Sequence, residues 1–151
     1  MTQLPQYFIV VYRKREYAMN ILFLLRIKSE VSYIYDDSTL RQGLEKMRAK
    51  GYTAIPVITR DGDYVGTISE GDFLWHIIEH GRGSLKDQEA YSVRDILRKD
   101  YMRPVKVSAT VEELIESAKN QNFVPVVDDR NKFIGIVTRR DIIKYFVQNQ
   151  K

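Results

Sequence analysis

The chain has no cysteine among its 151 residues. That excludes a disulfide scaffold and a thiolate metal centre, and it fits a reducing cytoplasm. Long apolar runs are missing too. The longest near the start, residues 21–25, falls far short of the roughly 20 residues a helix needs to cross a bilayer. The apolar stretch at 7–12 is followed by Arg13, Lys14, Arg15 and Glu16, whereas a secretory signal carries its positive charges in front. No targeting segment and no membrane association are therefore expected. There is no P-loop glycine pattern and no Ser-His-Asp or Cys-His arrangement. Charge of one sign is also lacking. The 24 basic and 20 acidic residues are interspersed and leave a net +4, too mild to argue for nucleic acid.

What the chain does have is a copy of itself. Ala54-Ile55-Pro56-Val57-Ile58 matches Phe123-Val124-Pro125-Val126-Val127, and Tyr64-Val65-Gly66-Thr67-Ile68-Ser69 matches Phe133-Ile134-Gly135-Ile136-Val137-Thr138. Pro56 and Pro125, Gly66 and Gly135, and Asp72 and Asp141 are each separated by 69 residues. Three unlike residue types at one offset establish an internal repeat, which sets the architecture.

Each half reads as strand, helix, strand, strand, helix. In the first, 31–35 is a short strand. Thr39 caps a helix with Leu40, Leu44 and Met47 at helical spacing, and Gly51 ends it. The β-branched run 55–59 and the return strand 64–69 flank an Asp-Gly turn at Asp61-Gly62. A closing helix over 72–80 is expected to bury Phe73, Trp75, Ile77 and Ile78. In the second half, 105–108 is a strand and Thr110 leads a helix. Residues 124–127 and 133–138 form a hairpin, and Asp141 begins the last helix. Thr39 to Pro56 spans 17 residues but Thr110 to Pro125 only 15, so the second helix or its exit loop is shorter. A short helix is expected at 92–99 from a capping-box-like Ser92 and Asp95. Neither half is long enough to bury a core alone. The expected organisation is an N-terminal extension at 1–18, a first repeat at 19–80, a linker at 81–91 and a second repeat at 92–151. Met19 is a candidate natural start.

The paired Gly66-Thr67-Ile68-Ser69-Glu70-Gly71-Asp72 and Gly135-Ile136-Val137-Thr138-Arg139-Arg140-Asp141, each with its upstream proline strand, resemble the CBS domain. The resemblance covers roughly residues 28–148. It implies an α+β pair of β-α-β-β-α repeats packed with pseudo-twofold symmetry, two clefts, and a regulatory rather than catalytic role. It implies AMP, ADP, ATP, S-adenosylmethionine or cyclic di-AMP as ligand, no required cofactor or metal, a homodimer, and an effector protein regulated in trans. The motif Asp would hold ribose hydroxyls and the Ser or Thr a phosphate. Gly51-Tyr52-Thr53-Ala54-Ile55-Pro56 together with Thr138-Arg139-Arg140 is similar to small standalone CBS pairs that bind cyclic di-AMP, and retention of both aspartates leaves mononucleotides equally open. The expected nucleotide site is then Tyr52, Thr53, Ala54, Ile55, Pro56, Thr138, Arg139, Arg140 and Asp141. A weaker second cleft comprises Ser69, Asp72, Val124 and Pro125.

The residues themselves suit such a ligand. A carboxylate accepts hydrogen bonds from two ribose hydroxyls, a hydroxyl at a helix start favours an anion, and arginine binds phosphate bidentately. Glu70 stands where the second motif has Arg139, so the arginine-bearing cleft is expected to be the better one. Other readings compete. Asp72 and Asp141 could be helix caps. Tyr52 could be a core aromatic, and Arg139, Arg140 and Lys144 a solvated helix face. The clefts could be empty in a purely structural module. His76-Ile77-Ile78-Glu79-His80 matches H-x-x-E-H, but with only two histidines a metalloenzyme would need an acidic third ligand. Arg94, Arg98, Lys99, Arg103 and Lys106 form a basic patch without a recognisable nucleic-acid reader, and they could instead line phosphates.

Overall fold

The computed structural model describes residues 20–148; the expected extension at 1–18 lies outside them. Two short sheets form. In the first, β2 (Ile34–Tyr35) runs parallel to β3 (Ala54–Ile58), which pairs antiparallel with β4 (Tyr64–Ser69). In the second, β5 (Val105–Lys106), β6 (Phe123–Val127) and β7 (Phe133–Thr138) repeat this pattern, and β1 (Arg26–Ile27) adds to the free edge of β7. Both hairpins carry the same irregularity, between Val57 and Ile58 and between Val126 and Val127. The duplication therefore extends to the backbone.

The helices are α1 (Leu40–Lys50), α2 (Glu70–His80), α3 (Val111–Ala118) and α4 (Arg139–Gln148). Thr39 with Gln42 and Thr110 with Glu113 form complete capping boxes, in which side chain and backbone satisfy each other reciprocally. Gly51 ends α1 in the left-handed conformation, φ 68°. The shorter spacing in the second half is matched by the helix itself, eight residues in α3 against eleven in α1. The expected helix at 92–99 is a single tight turn, Val93–Ile96, with the Ser92–Asp95 capping box in place.

Neither half closes its own core. Ile21 and Leu24 pack against Val105, Leu114, Val124, Val137 and Ile142 of the second half. Val93 packs, with Tyr91, Ile96 and Leu97 beside it, against Ile34, Leu40, Ile55, Ile68 and Phe73 of the first. Each half is thus completed by the segment that precedes the other. Burying one such aliphatic side chain is worth about 2 kcal/mol, which holds a strand as short as β1 in place. The crossing also explains the repeated glycine. A Cβ at Gly135 would lie 2.1 Å from the Arg26 carbonyl oxygen, and one at Gly66 would meet Leu97 Cδ2 at 3.4 Å.

The hairpins meet tip to tip. The Tyr64 N–H donates to the Asn131 carbonyl (3.1 Å) and the Phe133 N–H to the Gly62 carbonyl (2.9 Å). Below them Ile58, Tyr64, Val127 and Phe133 form a shared cluster, with Tyr64 and Phe133 stacked at 6.2 Å.

The closing helix α2 departs from expectation. Phe73 is buried, but Trp75 and Ile78 are 63% and 58% exposed, and His76 is buried instead. The hydrophobic run is longer than the one face the sheet can cover, so part of it turns outward.

Gly135→Ala should cost about 3 kcal/mol in urea unfolding, by driving β1 off β7. Gly66→Ala should cost less, because its neighbour is the end of a flexible side chain. Equal losses would show that the backbone crossing does not set the cost.

Candidate functional site

A cavity of about 490 Å³ opens between the halves, within the usual size of a small-molecule site. Its walls are related by the repeat. Gly51, Tyr52, Thr53, Ala54 and Ser69 line one side, and Asn120, Gln121, Asn122, Phe123 and Thr138 line the other, each 69 residues on. Pro56, Ile136, Met102 and Tyr101 contribute apolar surface. Arg26 is the one cation in this lining among the described residues.

The local folding that builds this lining is legible. The capped end of α1 releases the chain at Gly51 and aims Tyr52 and Thr53 at the cavity before β3 begins. The Glu70 N–H then bonds to the Thr53 carbonyl, and the Arg139 N–H bonds in the same way to the Asn122 carbonyl. Each closing helix therefore starts beside the loop that enters its proline strand. Tyr52 is 40% exposed and lines the cavity.

Of the residues expected in one nucleotide site, Tyr52, Thr53, Ala54, Pro56 and Thr138 converge on this cavity. Ile55 is fully buried in the first-half core and offers only its backbone. Arg139 turns away. Its Nε donates to the Ala118 carbonyl (2.8 Å) and its Nη2 to the Lys119 carbonyl (3.2 Å), satisfying the C-terminus of α3. Arg140 is exposed and, with Arg139, Ile143 and Lys144, lines a separate shallow depression. From the second set, Ser69 lines the same cavity, whereas Val124 and Pro125 are buried. Neither motif aspartate, Asp72 or Asp141, is in the lining of this cavity.

Both motif aspartates are held by arginine. Asp141 receives Arg26 Nε at 2.7 Å and Nη2 at 3.1 Å, a bidentate pair. Thr138 Oγ1 accepts the Asp141 N–H at 3.1 Å. The Arg26 guanidinium holds the Asp141 carboxyl below the usual carboxylate range. Asp72 is more covered, with a side chain only 7% exposed. It receives Arg98 Nε at 2.7 Å and the Ser69 N–H and Oγ–H at 2.8 and 3.0 Å. Asp72 is therefore a cap as well as an ion-pair partner. Arg26 carried no signal in the sequence, because its partner lies 115 residues away.

Three of the five residues of the basic patch are held in ion pairs: Arg94 with Asp36, Arg98 with Asp72, and Arg103 with Asp100. The two histidines stack at 4.1 Å, with Tyr91 edge-on to His76 at 4.4 Å. Burial, then the neighbouring His80, lowers the His76 pKa. Among the described residues no three metal-ligating side chains converge, and no helix is long and apolar enough to cross a membrane.

A family model described as the CBS domain matches residues 25–79 and 93–148. An uncharacterized protein of Methanocaldococcus jannaschii is 25% identical over 84% of this chain and 92% of its own length. The inosine-5'-monophosphate dehydrogenase of the same organism is 28% identical over 76% of this chain, but the match spans only 21% of that enzyme. Among solved structures, CbpB in complex with c-di-AMP superposes with a TM-score of 0.81 at 23% identity, covering 93% of both chains. The Listeria monocytogenes CbpB complex with c-di-AMP gives 0.75 at 25% identity, over 84% of this chain and 94% of that one. CBSX2 in complex with AMP gives 0.69 at 22% identity, over 89% of this chain and all of the other.

A double-mutant cycle on Arg26→Ala and Asp141→Asn should give a coupling of about 0.5–1 kcal/mol near neutral pH, the scale of a solvent-accessible pair. Because the folded-state pKa of Asp141 is depressed, the coupling is present above about pH 4 and is lost as pH falls through the depressed value. A coupling unchanged at about pH 2 would remove Asp141 ionisation as its source.

Proposed function

The chain belongs to the CBS-domain family and carries the domain twice, and on that premise we propose that it is a regulatory module that binds an adenine nucleotide in the cavity between its repeats. The observation that carries this reading is the composition of that cavity. The exposed Tyr52 ring in the lining would supply a stacking face for a purine, and the Ser69 and Thr138 hydroxyls stand at the starts of α2 and α4, where backbone N–H groups favour an anion. Asn120, Gln121 and Asn122 add side chains that both donate and accept, suited to base edges and ribose hydroxyls. Asp141 would take ribose hydroxyls once Arg26 shifts toward phosphate. The complexes of CbpB with c-di-AMP and of CBSX2 with AMP point to the same ligand class.

The electrostatics narrow the choice. Arg26 is the only cationic lining among the described residues and already shares its charge with Asp141. A ligand of low charge, AMP or cyclic di-AMP, suits this cavity better than ADP or ATP. The groups present bind and orient, so the reading assigns no catalytic step. The module would work in the cytoplasm, and its output would be a change in the arrangement of the two halves, read by a separate protein. The size of that change is bounded by the ligand's preference for one arrangement over the other.

Isothermal titration with AMP, ADP, ATP, S-adenosylmethionine and cyclic di-AMP should show binding, with AMP or cyclic di-AMP tighter than ATP. Tyr52→Ala should weaken the best ligand by about 1–3 kcal/mol, the worth of one stacked base. Absence of binding across the panel would leave a structural module, and unchanged affinity in Tyr52→Ala would move the site elsewhere.

A further inference from the structure

One wall of the cavity, at residues 99–102, is backbone held in an unusual shape. Asp100 and Met102 stand at φ 59° and 52°. The left-handed region crowds Cβ against the following carbonyl oxygen. Among the described residues, Met102 is the only one there that is not Gly, Asn or Asp. Such a residue persists only where its surroundings over-determine it. Here the surroundings are a buried chain of hydroxyls. The Tyr64 hydroxyl donates to the Met102 carbonyl, 38 residues on, at 2.7 Å, and Thr67 Oγ1 lies 2.8 Å from the same hydroxyl. A carbonyl only accepts, so the Tyr64 proton goes to Met102 and Thr67 donates to Tyr64. Tyr64, Thr67 and Met102 are 6%, 1% and 7% exposed. Burial pushes the Tyr64 pKa up, so the donor keeps its proton.

The first half lacks both the strain and its clamp. Val31 stands three residues before β2, as Met102 stands three before β5, and it lines the same cavity. Its φ is an ordinary −111°. The repeat partners of Tyr64 and Thr67, 69 residues on, are Phe133 and Ile136, which carry no hydroxyl. We propose that Tyr64 is a positioning residue of the cavity: its hydroxyl locks the turn at 99–102 in the left-handed shape that carries Tyr101 into the wall where a ligand meets it. Tyr101 and Met102 line the cavity, whereas Tyr64 and Thr67 are not in the lining. On its outer side the turn has only the Arg103–Asp100 pair, 75% and 59% exposed, and Arg98 over the Tyr101 ring at 3.5 Å. Exposed pairs contribute little, so the buried hydroxyls set the shape. A wall fixed in advance spares the ligand the cost of ordering it. The ligand is that of the nucleotide reading, on which this role rests; the clamp itself exists without one.

Tyr64→Phe removes one oxygen and keeps the ring that stacks on Phe133. Met102 and Met47 are 7% and 3% exposed, and Met47 lies in the first-half core, so peroxide oxidation followed by mass spectrometry separates local release from general unfolding. In ligand-free Tyr64→Phe, Met102 should oxidise about tenfold faster with Met47 unchanged. Thr67→Val, which leaves Tyr64 its acceptor, should act in the same direction but less, and it carries both measurements if Tyr64→Phe does not fold. By isothermal titration, Tyr64→Phe should weaken AMP or cyclic di-AMP, whichever the unaltered chain binds, by about fivefold, and should add no loss in a Tyr101→Ala background. Faster oxidation of both methionines, or of neither, would overturn the clamp. Faster Met102 oxidation with unchanged affinity, or a full additional loss on Tyr101→Ala, would overturn the positioning role. If the unaltered chain binds no nucleotide, the nucleotide reading falls and the positioning role with it, while Met102 oxidation still decides the clamp.

Discussion

The structure depends on a crossing. Residues 21–27 leave their own repeat and finish the core and sheet of the other, while residues 91–97 pass the opposite way. A repeat of this size exposes too much of its hydrophobic face to stand alone, and borrowing a neighbour's leading segment covers it at little cost in chain length. The contact is backbone against backbone at Gly135, where no side chain fits under the Arg26 carbonyl. The hairpin tips add a second tie, through Gly62, Tyr64, Asn131 and Phe133. Crossing and tips together set the separation of the two proline strands, and the cavity is the space left between them.

The same crossing decides the electrostatics of the site. Arg26 arrives on one exchanged segment and settles on Asp141, and Arg98 follows the other and settles on Asp72. Each motif aspartate is therefore compensated before any ligand enters. The two differ in access. Asp72 lies under Arg98 and Ser69, and Arg98 itself rests on the Tyr101 ring at 3.5 Å. Asp141 sits beside an arginine that also faces the cavity. The duplicated fold thus presents two chemically unequal ends, one carboxylate covered by its arginine and one paired to an arginine that also lines the cavity.

The repeat, the hairpins, the caps and most helix limits were legible in the sequence because each is a local decision. Thr39 and Thr110 need only the residue three positions on to form their boxes, and Gly51 adopts its left-handed turn for lack of a side chain. Trp75 and Ile78 were misread as core because an apolar run on a short helix does not say which of its faces the sheet will cover. The bonds of Arg139 to the carbonyls of Ala118 and Lys119 were not legible, because a charge run carries no record of the helix end it will cap.

The sequence by itself determined that two like units exist, that each is a strand–turn–strand bounded by capped helices, and that hydroxyl and carboxylate groups recur at the same place in both. Tertiary structure alone decided that the leading segments trade halves, that Arg26 reaches both Asp141 and the cavity lining, and that Arg98 covers Asp72. The reason is range. Capping, turn chemistry and alternation act within a few residues of the chain, while the pairing of Arg26 with Asp141 or Tyr64 with Phe133 exists only after distant segments have been brought together by burial.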